Sequence, residues 1–406
     1  MSAAPQPGSR VESPLDPFSP QFRADPYTPY AQLRAAEPPL VWLSRHAIWV
    51  VSRYEPVREV LQDWKRFSNA GGGGITNYFL TKPWRRPSLI LEVDPPDHGR
   101  TRKVLMQALS PARLQQLRPG FEAKAEEIID AALARGTLDA VPELAQRFPL
   151  TVFPDAVGMQ RGEDRSNMLT YGAMVFGGFG PVTPWYENLM LQADVVTEWI
   201  MARCRREALS SDGIGAAIYE QADAGAITHA EATLLVRSLL SAGVDTTIDS
   251  IGLCLRALAE HPEQWALLRD QPDLARNAFE EATRYDSSSQ SLFRTTQTDC
   301  DFQGVALQRH QKVLVLIGSA GRDATKWTDP DRFDITRRIL GTQMGYGAGV
   351  HSCVAQMMAR LEAEVFFSVL ARKVERIEIA GPSQVRLQPG LRGLSTLPLT
   401  LTRRVH

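Results

Sequence analysis

From about Pro111 to Ile251 the apolar residues recur mostly three and four apart, the spacing of helices with one buried face. Thr228-x-x-Glu231 forms a capping box ahead of a long apolar run: Leu234, Leu235, Val236, Leu239, Leu240, Val244, Ile248 and Ile251. The run continues to about Glu260, where Pro262 stops it. It predicts one helix of roughly 45–50 Å at 1.5 Å per residue. Being apolar nearly all round, that helix belongs in the middle of the protein. A shorter helix is expected over about Leu274–Tyr285 and a last one over about Val354–Val374. Val41–Leu43 and Ile48–Val51 flank a polar turn and predict a hairpin. Short strands are expected near Phe293–Thr296, Phe302 and Lys312–Ile317, with a β-like tail over Ser395–Leu401. A coil rich in Asp, Arg and Pro fills 321–338, and residues 1–20 read as a loose polar arm. The fold class is therefore mainly α with small peripheral β-sheets.

Composition narrows the function. The 406 residues are 44% hydrophobic and 22% charged, which excludes a disordered chain or a fibrous rod. Lys+Arg 45 against Asp+Glu 46 leaves no basic excess for nucleic acid or a membrane surface. The N-terminus has no apolar core of a signal peptide, and no stretch of eighteen apolar residues occurs. Cys204, Cys254, Cys300 and Cys353 are too far apart in sequence for a CxxC metal site or a dense disulfide framework. The expectation is a reduced, cytoplasmic protein with at most one special cysteine.

Four groups of residues carry candidate chemistry. Gly345-Tyr346-Gly347-Ala348-Gly349-Val350-His351-Ser352-Cys353 is a glycine-rich turn ending in a cysteine just before a helix. The glycines let the backbone pass close to a flat ligand, and a helix N-terminus favours thiolate, a metal ligand or nucleophile. A buried structural cysteine is the equal alternative. Ser238, Ser241, Ala242, Asp245 and Asp249 share one face of the long helix. Asp245-Thr246-Thr247 there suits a proton relay, and equally a kink in which threonine bonds back to the preceding turn. Glu281-x-x-Arg284, taken alone, reads as a surface ion pair. His98 and Arg102, after Asp94-Pro95-Pro96-Asp97, together with Arg294 beside Phe293, offer cations for the carboxylates of a cofactor. Each of these cations alone reads as ordinary surface charge.

In this order and spacing the four groups resemble a cytochrome P450, a haem-thiolate monooxygenase, over about Asp16–Leu401. The resemblance implies the mainly α P450 fold with a long central helix over the haem, residues 21–406 forming one domain. It implies haem b held by Cys353 as the iron ligand, with Tyr346, Gly347 and Ala242 against the ring and His98, Arg102, Arg294 and His351 at the propionates. Asp245 and Thr246 would be the oxygen-activating pair. Glu281 and Arg284 would be a structural pair completed by an arginine near 329–333. Two positions depart from the family pattern: Tyr346 replaces a phenylalanine seven residues before the cysteine, and Ala355 a glycine two after it. O2 would be the co-substrate. Electrons would come ultimately from NAD(P)H, through a ferredoxin reductase and an iron–sulfur ferredoxin docking near Arg102, Lys103 and Arg360. A monomer is expected.

Within the family the chain is similar to the bacterial monooxygenases that demethylate 4-methoxybenzoate. The similarity lies in Lys82–Leu91, Val175–Pro181 and Leu235–Ser241. It implies a small aromatic substrate whose carboxylate is held by Arg85, Ser88 and Ser238, with Ser241 nearby. Phe176 and Phe179 would clamp its ring, with Leu292 and Phe293 completing the pocket and Gly71–Gly74 in a mobile lid. Leu292 stands where that subgroup commonly has an aromatic, which makes room for a bulkier ring. The alternatives are hydroxylation of a larger neutral molecule such as a terpenoid or polyketide, a peroxide-driven peroxygenase, and a haem-based sensor.

Overall fold

The computed structural model describes residues 10–160 and 165–405. The main core is helical. Pro111–Arg135, His229–Gly243, Asp245–Glu260, Ala275–Tyr285 and Gln356–Lys373 supply most of one large apolar cluster. Asp245–Glu260 is buried on most of its circumference, as its apolar surround predicts. Thr228 caps the first of these two central segments: its hydroxyl accepts from the Glu231 N–H, and the Glu231 carboxylate accepts from the Thr228 N–H. The single long helix of the sequence reading is divided at Val244.

A six-stranded sheet lies to one side, in the order Glu12–Ser13, Leu40–Leu43, Ile48–Val51, Lys312–Val315, Leu292–Thr296, Phe67–Ser68. The expected hairpin is present, with Leu40 opposite Val51 and Leu43 opposite Ile48. Its strands are apolar at nearly every position because both faces are covered. Val41, Leu43, Ile48 and Val50 pack with Phe22, Tyr30 and Phe293, while Leu40, Trp49 and Val51 pack with Phe67, Val313 and Val315.

Residues 10–20 are not a loose arm. Glu12–Ser13 pairs in parallel with Leu40–Leu43, and the Trp42 N–H donates to Val11 O at 2.8 Å. Asp16 accepts from the His46 ring at 2.7 Å. The apolar side chains Val11, Leu15 and Phe18, scattered among serines and prolines, pack against the sheet. Residues 1–9 of that expected arm lie outside the described residues. The C-terminal tail forms two small sheets, pairing Gln384–Arg386 with Gly393–Thr396 and Val374–Ile379 with Pro398–Arg403. The edge strand Thr137–Asp139 joins the latter; it was not legible inside the helical pattern.

Candidate active site

Cys353 stands at the end of the glycine-rich turn, three residues before Gln356–Lys373 begins. Its N–H donates to Tyr346 O at 2.8 Å, which closes the loop on itself. Gly349 is required there: its φ is +71°, and a side-chain carbon would stand 2.8 Å from Leu61 O. Burial pushes the thiol up. The Ala355 N–H, Arg102 and Arg360 act in the opposite direction, toward thiolate. A cavity of about 230 Å³ opens above the cysteine, and Cys353, Tyr346, Gly347 and Ala242 all line it.

The expected cations converge on this cavity, but not equally. Arg102, Arg294 and His351 line it, whereas His98 lies behind His351, ring centroids 4.2 Å apart. Arg294 is buried, and the one hydrogen bond of its guanidinium among the described residues goes to the neighbouring Phe293 O. Burial pulls it down to about 10. Among the described residues Nε2 of His98 is buried with no hydrogen-bond partner. Burial first, then the His351 and Arg102 charges, holds His98 at about 4. Asp94, accepting from His351 at 3.2 Å, is the carboxylate that acts on Arg294, His98 and His351. Buried donors with too few acceptors fit a ligand that brings carboxylates. The chain thus fits haem b: Cys353 lines the cavity, and Arg102, Arg294 and His351 line it too, Arg294 with spare donors among the described residues. Arg360 does not belong to an exposed basic patch: it is buried, ion-paired with Glu280, and covers the Tyr346 ring at 4.6 Å. Lys103 is exposed.

Across the cavity the central helix opens between Gly243 and Asp245. Thr246 Oγ1 donates to Ala242 O at 2.9 Å and Thr247 Oγ1 to Gly243 O at 3.0 Å. The hydroxyls bond back to carbonyls of the preceding turn where the helix is interrupted. Thr246 lines the cavity, and Asp245 is buried just behind it. Burial, reinforced by Asp249, pushes the Asp245 carboxyl up to about 8. Gly172 makes the room for it: a side-chain carbon there would stand 1.6 Å from Asp245 Oδ2. The kink and the acid–alcohol pair, alternatives in the sequence, coexist.

The same cavity reaches the expected substrate residues. Arg85, Phe176, Phe179, Ser238, Leu292 and Phe293 line it, the Phe176 and Phe179 rings 5.5 Å apart. Ser88 sits one layer back, its hydroxyl 2.9 Å from that of Ser238. Ser241 does not face the cavity; its hydroxyl turns back to Ser238 O at 3.3 Å. The lid glycines are tied down. Lys312 Nζ donates to Gly71 O and Gly72 O at 2.8 and 2.9 Å, and Gly73 lies against the Phe179 ring.

Three charged residues on or beside the cavity escaped the sequence reading. Glu92 pairs with Arg85 at 2.8 Å and accepts from the Ser88 N–H at 2.7 Å. Arg237 is buried, and its guanidinium donates to Arg86 O at 3.0 Å. Glu362 is buried with neither carboxylate oxygen partnered among the described residues, and burial pushes it well up. A charge inside an apolar helical run was the available signal for Arg237 and Glu362; Glu92 had none. Glu281 and Arg284 are no surface pair. Both side chains are fully buried and meet at 2.7 and 2.8 Å, and Arg284 also donates to Gly321 O, Pro330 O and Arg332 O. The completing arginine is Arg337, 3.1 Å from Glu281.

Among the described residues no helix is long and apolar enough to cross a membrane. The family model "Cytochrome P450" matches residues 201–379. The chain is 47% identical over 389 residues to "Cytochrome p450 CYP199A2" of Rhodopseudomonas palustris, covering 96% of this chain and 94% of that protein. It is 31% identical to "Cytochrome P450 107B1" of Saccharopolyspora erythraea, covering 94% and 96%. The solved structure of "cytochrome P450 CREJ in complex with (4-ethylphenyl) dihydrogen phosphate" superposes with a TM-score of 0.83 at 26% identity, covering 95% of this chain and 99% of that one. With such identity along nearly its whole length, and a cavity built for a thiolate-held haem b, the chain belongs to the cytochrome P450 family and is an O2-using monooxygenase.

Proposed function

We propose that the enzyme oxidises the para substituent of a benzoic acid, demethylating a 4-methoxybenzoate-type substrate to the phenol and formaldehyde. The observation that carries this reading is the lining of one cavity. Its walls are Phe176, Phe179, Leu292 and Phe293, and its polar corner holds Ser238 and Arg85, with Ser88 behind and Arg237 near. Aromatic walls suit a flat ring, and hydroxyls beside guanidinium groups suit a carboxylate.

The haem, when bound, supplies the oxygen activation. Cys353 would hold its iron, and Arg102, Arg294 and His351 would hold its carboxylates, with His98 supporting His351. Ser238, with the Arg85–Glu92 pair beside it, would orient the acid so that its para substituent faces Thr246. Asp245 would release a proton toward Thr246, whose hydroxyl would pass it into the cavity and steer water away from wasteful proton transfer. The remaining walls exclude water from the reacting carbon. Electrons would arrive from an iron–sulfur ferredoxin and its NAD(P)H-dependent reductase. The acid–alcohol pair argues against a peroxide-driven peroxygenase.

One observation favours a second reading, a larger neutral substrate: the Arg85 charge is already matched by Glu92. Titrating the ferric protein with 4-methoxybenzoate and with its methyl ester separates the two while following the haem absorbance. A spin-state shift with the acid alone supports the benzoate reading. No shift with the acid removes it and directs the search to neutral molecules.

A further inference from the structure

A second cleft, of about 50 Å³, opens where residues 17–30 meet the C-terminal stretch 385–392. One water needs about 10–15 Å³ of such volume, so the cleft takes a carboxylate head group and not a whole ring. Arg23, Arg386 and Arg392 all line it. Arg392 is buried. Its Nε donates to Asp286 and its Nη1 to Arg23 O, both at 2.7 Å, which leaves Nη2 without a hydrogen bond among the described residues. Arg386 pairs with Asp249 at 2.5 Å through Nη2, and its buried Nε has no partner among the described residues. Arg23 has neither an ion pair nor a side-chain hydrogen bond among them; its Nε is buried, and its guanidinium lies 6.0 Å from the Phe18 ring. Asp16, the carboxylate that acts on Arg23, is taken by His46 at 2.7 Å and Arg45 at 3.2 Å. Asp286 is shared between Arg392 and Arg256. Around the cleft four guanidinium groups, Arg23, Arg256, Arg386 and Arg392, therefore stand against two carboxylates, Asp249 and Asp286. Burial pulls Arg23 down to about 10, as it does for a cation kept from water without a close counter-charge.

The cleft and the haem cavity share walls. Phe18 of the cleft stacks on Phe293 of the cavity, ring centroids 6.4 Å apart. Gly390 of the cleft lies against the aromatic clamp: a side-chain carbon there would stand 2.7 Å from Phe176 O and 3.1 Å from Phe179 Cβ. We propose that this cleft is a second carboxylate-binding site, in which Arg23, flanked by Arg386 and Arg392, holds the acid group of a benzoate outside the haem cavity and gathers the acid at the outer side of the pocket wall. The gathering role rests on the reading of a benzoic acid as the substrate; the site itself does not. Unused guanidinium donors are the strongest receptor a side chain offers a carboxylate, and the Phe18 ring beside Arg23 gives the aromatic part of the ligand a surface to lie on. A cluster of one sign of charge also raises the local concentration of an oppositely charged ligand, and with it the association rate.

The test is fluorine NMR of 4-fluorobenzoate with the haem-loaded ferric protein, its haem cavity filled by 4-phenylimidazole, a neutral ligand of the iron. The line of the acid should broaden, and that of methyl 4-fluorobenzoate should not. Arg23→Gln should cut the broadening at least about threefold, and Arg23→Lys should keep part of it, because a point charge then replaces a two-pronged donor. The Arg23 side chain makes no hydrogen bond or ion pair among the described residues, so the substitution removes none that folding uses. No broadening of the acid, equal broadening of the ester, or full broadening in Arg23→Gln would overturn the site. Stopped-flow mixing of 4-methoxybenzoate with the ferric protein, its haem cavity now open, reads the gathering role. The association rate should fall about threefold in Arg23→Gln, and by less at high salt, with the dissociation rate unchanged. An unchanged association rate would overturn that role. A haem spectrum that does not respond to 4-methoxybenzoate would sink the benzoate reading and the gathering role with it, while the NMR comparison still decides the site.

Discussion

The Arg85 guanidinium and the Glu92 carboxylate form a buried ion pair at 2.8 Å on the wall of the haem cavity. Arg85 therefore does not meet a substrate as a free cation. Glu92 occupies the role a substrate carboxylate would take, and it also orders Ser88 through that residue's N–H. Glu92→Gln keeps an acceptor for Ser88 and removes the competing charge. We expect 4-methoxybenzoate to bind about three- to tenfold tighter, up to ~1.4 kcal/mol, with the methyl ester unchanged. Spectral titration of both ligands checks it, and equal gains for acid and ester would show that Glu92 acts through shape.

Thr246→Ala removes the hydroxyl at the helix opening and leaves the cavity intact. Substrate affinity should hold while product per electron pair falls and peroxide rises. Thr246→Ser should restore most of the coupling. Peroxide assay beside product analysis reads this directly, and tight coupling in the alanine variant would take Thr246 out of proton delivery.

Gly172→Ala should act on the same step from another helix. Its new methyl group collides with Asp245 Oδ2, so the carboxyl must move and coupling should drop. Gly120→Ala is the control: nothing lies within 4 Å of its added carbon on Pro111–Arg135. There the change should stabilise by about 0.5–1 kcal/mol through helix propensity, with turnover unaffected. Thermal unfolding separates the two.

Glu281→Gln should leave the buried Arg284 and the half-buried Arg337 without their counter-charge. A loss of about 3–5 kcal/mol is expected, with poor haem retention. Arg58→Ala, breaking the exposed pair with Glu55, should cost no more than about 0.5 kcal/mol. Denaturant titration of both variants makes the comparison.

Lys312 carries a pH signature. Burial, with Arg294 nearby, pulls it down to about 7. Between that value and the ordinary lysine range the unfolded chain binds the proton that the folded chain has lost, so this residue makes stability rise with pH there. Lys312→Met should flatten that rise. It should also speed amide exchange over 71–74, because both carbonyl contacts to the glycines are lost. Unchanged exchange would mean that the Phe179 contact alone holds the loop.

What the chain's own pattern determined is local. Apolar periodicity located the central helix, the hairpin and the final helix, because burial of one face leaves a repeat in the sequence. The glycine-rich turn, the acid–alcohol pair and the Glu-x-x-Arg turn were legible because each is a contiguous or one-turn motif. Tertiary structure decided everything that depends on which distant side chain arrives as a partner. The break at Val244 needs Thr246 and Thr247 to reach back over a turn whose surroundings hold them. The burial of Arg284 needs the carbonyls of a coil about forty residues away, and only these turn a surface-like pair into a core one. Val11, Leu15 and Phe18 look like part of a polar arm until a sheet edge is there to receive them. Glu92 beside Arg85, and Arg386 beside Asp249, carry no spacing that announces them. A charge in low dielectric is governed by the nearest opposite charge in space, and that neighbour exists only once the chain has folded.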